Sequence, residues 1–214
     1  MATNYLITGY HGEPHVTAEN DRGINAAIFG VGRFVLPVGN QFRAEYIGNN
    51  TIRMYDGKLV DNGAAAGIPA GHYVDLLIPE TGQGMFRNDI IAFKYKKDTK
   101  TLVESGEFVV VSGTESAEVA TDPTVEHQDL LTDEATLDYV PLWRVSVAGA
   151  TISDPEPLFE LCLTIKTVQD VLANIGVEMK TYTNDAVDAL RKELKKYTDD
   201  SISNAIGSAI GGGY

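Results

Sequence analysis

The sequence has one cysteine, one tryptophan and no long apolar run, and each shortage excludes a class of protein. A single thiol, Cys162, cannot close an internal disulfide and leaves no set of thiolates for a structural zinc site. The longest apolar runs are short, as in Phe108-Val109-Val110-Val111. A membrane-spanning helix needs roughly 18 such residues in a row. The first residues, Met1-Ala2-Thr3-Asn4, lack the basic-then-apolar order of a secretion signal. Basic residues are scarce too: 17 Lys and Arg stand against 30 Asp and Glu, a formal charge of −13. That balance opposes general nucleic-acid binding, because phosphate contacts need a basic surface. With 214 residues, 43% of them hydrophobic, the chain can still bury a real core in one large domain or two small ones.

The charge is uneven. Between Glu104 and Asp138 there are ten acidic residues and no Lys or Arg. A run of one sign usually forms a solvated face or loop; the functional alternative is a patch for a basic partner or a divalent cation. The window lacks the D-x-[DN]-x-[DN]-G spacing of a calcium loop, which weakens the cation reading.

Residues 1 to about 115 read as β-rich, with short alternating runs broken by turn residues. Phe34–Val38 stops at Gly39-Asn40, Phe42–Ile47 at Gly48-Asn49-Asn50, and Thr51–Tyr55 at Asp56-Gly57, a hairpin signal. Tyr73–Ile78, Asp89–Tyr95 and Phe108–Val111 follow. One helix precedes them, with Thr17 as N-cap, Glu19 and Asp21 in the first turn, and Ile24, Ala27 and Ile28 at helical spacing. Val140–Val147 predicts a further strand that rejoins this sheet, with Trp143 in a core role. The expected fold is mainly β, a small sandwich or barrel with one early helix, over residues 1–150.

Beyond Phe159 the period becomes helical. Leu161, Leu163, Val168, Val171, Leu172 and Ile175 predict a short helix ending at Gly176, inside a linker over 151–182. A second helix opens at Thr183 or Asn184, with Asp185 and Asp188 in its first turn, where the helix dipole favours acids. Val187, Leu190, Leu194 and Tyr197 are spaced three, four and three, a heptad seam. Ile202, Ile206 and Ile210 continue in steps of four, a change that resembles a stutter. The pattern predicts a coiled-coil-like segment over 183–214. Its narrow stripe, ending in isoleucines, favours a homotrimer over packing on the β domain.

Chemistry-bearing patterns are few. His11-Gly12-Glu13-Pro14-His15 holds two histidines and a carboxylate, but Pro14 and Gly12 oppose the helix that would put the histidines on one face. Gly30-Val31-Gly32 follows a helix and leads into a strand, the reverse of a dinucleotide-binding turn. No Gly-x-Ser-x-Gly elbow or phosphate loop is present. Cys162, between Leu161 and Leu163, reads as buried rather than activated. Arg87-Asn88-Asp89 opens a core strand and is expected to supply a structural ion pair, Arg87 with Asp89. No catalytic residue, metal ligand or cofactor is expected, and the chain is not expected to be an enzyme.

Several runs resemble a family of structural proteins encoded in phages and prophages of Gram-positive bacteria. They are Ile7–Thr17, Tyr46–Arg53 with Asp56-Gly57, Gly84–Ile91 with Tyr95, and Val140–Val145. The resemblance spans roughly residues 5–150 as scattered motifs. It implies a tail-fibre or baseplate component whose N-terminal β domain attaches to the virion and whose chain continues into a trimeric stalk, an arrangement similar to the upper baseplate proteins of lactococcal phages. The partners it implies are further copies of the chain and other phage structural proteins, with no nucleic acid and no membrane. Family members often carry a receptor-binding domain beyond the helix, so an adaptor, connector or short fibre is expected here rather than direct host-receptor binding. The rival expectations are a head-attached fibre, or a carbohydrate-binding or glycan-cleaving module that uses the acidic window.

Overall fold

A computed structural model describes residues 17–132 and 134–211. The His11–His15 cluster and the Ile7–Val16 run lie outside the described residues. The chain divides into two units, one ending at Cys162 and the other beginning at Leu163.

The first unit opens with α1 (Ala18–Phe29). Thr17 caps it as expected: its hydroxyl accepts from the Asn20 N–H at 3.2 Å, and Glu19 and Asp21 sit in the first turn. No residue of α1 is buried, so tethers rather than packing hold it. The Arg22 guanidinium donates to Leu130 O, pairs with Glu104 and lies over the Tyr95 ring, and Asn25 donates to Gly63 O.

Among the described residues nine strands follow: β1 (Arg33–Leu36), β2 (Ala44–Gly48), β3 (Thr51–Asp61), β4 (Ala64–Leu77), β5 (Phe86–Lys97), β6 (Glu104–Ser112), β7 (Leu137–Ala148), β8 (Thr151–Ile152) and β9 (Glu156–Pro157). In the first sheet β4 runs the length of β3, while β2 and β1 pair with the two halves of β3. In the second, β5 lies between β6 and β7, and β8 and β9 add to β7. All these pairings are antiparallel. The fold is therefore mainly β with an early short helix. Val35, Phe42, Ile52, Met54, Leu59 and Ile78 of one half meet Ile91, Val140, Leu142, Val145 and Val147 of the other in one continuous core. Trp143 packs half-buried against that core, its indole N–H donating to Phe42 O at 3.0 Å.

Three expectations need correcting. Asp56-Gly57 is not a turn: β3 runs through it with a bulge between Tyr55 and Gly57. Asp56 is buried and takes hydrogen bonds from the Asn40 side chain and N–H. A Cβ on Gly57 would come within 2.5 Å of the Phe42 nitrogen. The glycine is there for close approach. The hairpin turn lies at Asn62-Gly63, where both residues have positive φ (44° and 83°), as the tight primed turn demands.

The second correction concerns residues 151–162, which belong to the β unit rather than to a linker. Ile152 is buried, Leu158 N donates to Leu142 O, and Val35 exchanges backbone hydrogen bonds with Glu160 and Cys162. Leu161 and Leu163 precede the helix, and Cys162 is half-buried rather than enclosed.

Third, the second unit is one unbroken helix, α2 (Ile165–Gly211). Thr164 opens it, its hydroxyl accepting from Thr167 N. The helix passes through Gly176 and past Thr183-Asn184 without interruption. An interior glycine costs only about 1 kcal/mol, and no proline follows to enforce a stop.

Candidate functional site

The 47 residues of α2 make a rod about 70 Å long, at about 1.5 Å per residue. Every side chain described on it is exposed in the single chain. Val187, Leu190, Leu194, Tyr197, Ile202, Ile206 and Ile210 all lie on this one helix, with 39% to 78% of their surface open. Because the helix is continuous, a second apolar row lies on it toward the N-terminus, offset by one heptad position from the first. Ile165, Val168, Leu172, Ile175, Met179 and Tyr182 are spaced three, four, three, four and three, and all are exposed. This half of the seam is hidden at the level of sequence by the stop that Gly176 suggests.

Away from that stripe the helix is polar, with part of its charge paired along its own length. Lys166–Asp170, Asp188–Arg191 and Lys195–Asp199 pair one turn apart. Thr181, Thr183 and Thr198 return their hydroxyls to the carbonyls four residues back, at 2.8–3.1 Å. Isolated helices gain little from such contacts, and most helix stability comes from burying an apolar face. What α2 can do is bury that face against something else.

The β unit concentrates its charge in enclosed pairs. Arg87 and Asp89, on β5, are both buried and meet through two hydrogen bonds, Nε–Oδ1 at 2.7 Å and Nη2–Oδ2 at 2.9 Å. Arg87 also donates to Pro79 O and Glu115, while Asp89 accepts from Gly113 N. The Asp89 hydrogen bond is the leading cause that raises the Arg87 guanidinium pKa further. The pair thus joins β5 to the segments on either side of it.

A second cluster has no counterpart among the sequence motifs. Arg33, at the start of β1, reaches Asp61 at the end of β3 (3.3 Å) and grips Asp138 near the start of β7 with both oxygens (2.6 and 2.8 Å). Both carboxyls are almost wholly buried. Burial, then the neighbouring Asp138, pushes Asp61 up to about 8 against the pull of Arg33. Burial also acts on Asp138, but hydrogen bonds from Asp61, the Gln128 N–H and His127, with the charge of Arg33, hold it below the usual range. Asp61 Oδ2 is buried with no hydrogen-bond partner, which suits a carboxyl that keeps its proton at neutral pH. One guanidinium, one carboxylate and one protonated carboxyl sum to zero charge. Nothing in the spacing of residues 33, 61 and 138 announces this: strand pairing joins Arg33 to Asp61, and packing of the second sheet on the first brings in Asp138.

Neither a protein-family model nor a curated protein matches the chain.

The acidic window resolves in the same way. Glu104 pairs with Arg22, Glu107 with Lys94, Glu115 with Arg87, Asp122 with Arg144, and Asp138 with Arg33. Half of its ten acids are therefore met by bases from outside the window. Among the described residues no group of His, Cys, Asp and Glu could hold a metal ion, and no helix is long and apolar enough to cross a membrane.

Proposed function

We propose that this chain is a structural protein of a phage virion, a tail or baseplate fibre or adaptor component. It docks through its β unit and self-associates as a homotrimer through α2. The observation that carries the reading is the apolar patterning along a 47-residue helix whose described side chains are all exposed. Such a stripe is covered most economically by the same stripe on further copies, and isoleucine at successive core positions suits three or more strands better than two. The β unit supports a docking role. Its core is closed, and its buried charges are committed to internal pairs, giving a rigid block able to hold a stalk. The virion assignment comes from the family resemblance of residues 5–150.

Immunogold labelling of virions from a strain carrying the gene tests the location, and light scattering of the pure protein tests the assembly. A labelled tail tip and a trimeric mass are expected. Label confined to the head moves the protein to a head fibre, and unlabelled virions remove the phage reading altogether.

A further inference from the structure

The apolar stripe of α2 changes direction along its length, and that change dictates how assembled helices wind. From Ile165 to Tyr182 its steps alternate between three and four. A mean of about 3.5 falls short of the 3.6-residue turn, and a left-handed supercoil keeps such a seam facing inward. Between Tyr182 and Val187 the step is five, which breaks the alternation, and from Leu190 a different row takes over: Leu190, Leu194, Thr198, Ile202, Ile206 and Ile210, all four apart. Each step of four overshoots a full turn by about 40°. Five of them carry the stripe about 200° round the helix.

The two windings make opposite demands on the same residues. A three-four alternation resumed from Leu190 and Leu194 selects Tyr197, Ser201, Asn204 and Ser208. A left-handed bundle carried to the end of α2 would bury two serines and an asparagine per copy and leave three isoleucines in water. The row of four instead buries Ile202, Ile206 and Ile210, which are more than half exposed in the single chain. Its one polar member, Thr198, is already provided for, because its hydroxyl donates to Leu194 O at 2.8 Å. Repeats longer than 3.6 residues per turn wind to the right, as the 11-residue repeat does at 3.67, and steps of four lie beyond it.

We propose that copies of α2 associate in parallel, winding left-handed from Ile165 to about Tyr182 and right-handed from Leu190 to Ile210, with the register shifting in between. The distal core is then Ile202, Ile206 and Ile210. This rests on the reading that α2 binds further copies of itself, and it fixes which surface lies inside.

Disulfide trapping on the full chain, with Cys162→Ser as background, tests it. Leu190→Cys lies in the proposed core at the start of the right-handed part and serves as the reference. Under mild oxidation Ile202→Cys and Ile206→Cys should cross-link at least tenfold faster than Ser201→Cys and Asn204→Cys. Faster linking at 201 and 204 means that the left-handed seam persists with the isoleucines outward, and overturns the proposal. Equal rates mean a splayed end and overturn it too. A multimer in which Leu190→Cys stays unlinked does not run in parallel, which also overturns it. If Leu190→Cys stays unlinked and light scattering gives a monomer, self-association itself fails, and the proposal falls with it.

Discussion

The buried charges of the β unit make its stability depend on pH in a way that single residues decide. Asp61 has its folded-state pKa raised to about 8, above the ordinary carboxyl value. The folded chain therefore keeps a proton that the unfolded chain releases near pH 4. Its contribution is fully present below that pH and is lost as the pH rises toward 8. Asp138 runs the other way: its contribution is present above the ordinary carboxyl range and disappears only in acid. Melting midpoints should fall between about pH 5 and pH 8.5. Asp61→Asn keeps an acceptor for Arg33 and a fixed N–H donor for Asp138, so it should raise the midpoint at about pH 8 and remove most of that slope. A slope unchanged in the variant would place the titration elsewhere. Arg87→Ala tests the other pair, since it leaves Asp89 buried without its cation. Breaking a buried pair costs about 3–5 kcal/mol, and thermal melts should show a loss of that size.

At the scale of elements, glycines separate what the sequence showed from what it hid. Gly57 sits where a Cβ would press on the Phe42 backbone, whereas a Cβ on Gly176 would meet nothing within 4 Å. Gly57→Ala should therefore destabilise the β unit, while Gly176→Ala should stabilise α2 by about 1 kcal/mol. Denaturant unfolding followed by circular dichroism checks both, and a destabilising Gly176→Ala would restore a helix end at that point. The alternation of β3, the cap at Thr17 and the strand around Trp143 were legible because local spacing and capping chemistry encode them. Asp56-Gly57 misled because the same dipeptide serves a turn and a bulge, and only the approach of Phe42 distinguishes them. Gly176 misled because a glycine marks a helix end only when the backbone beyond it turns left-handed, which no residue type records. The Arg33–Asp61–Asp138 cluster left no trace in the sequence, since its members are strand-end residues brought together by one strand pairing and by the packing of the two sheets.

For the whole molecule, charge and assembly are linked through what remains unburied. The ten-acid window looked like a continuous negative surface along the chain, yet in space half its acids meet Arg or Lys from other elements. That pairing breaks up the surface pattern but leaves the net charge of −13 unchanged, so copies still repel at long range, and α2, with seven acids against six bases, adds little to that repulsion. Association is driven against it by the apolar seam. Each buried Leu or Ile contributes roughly 1.5–3 kcal/mol, and a seam from Ile165 to Ile210 in three copies exceeds the roughly 4–15 kcal/mol that association costs. Light scattering should give about 69 kDa, three times the 23.1 kDa chain. Leu194→Asp places three carboxylates in one layer, where burial of unpaired charge is prohibitive, and should yield monomer with the β-sheet dichroism intact. Truncation discriminates further, because the seam begins at Ile165 and not at Val187. A chain ending at Lys180 keeps five seam positions and should associate weakly, trimeric only at high concentration, whereas a chain ending at Thr164 should be monomeric at every concentration. A trimer from that shortest chain would move the assembly into the β unit and leave the stripe of α2 for a different partner.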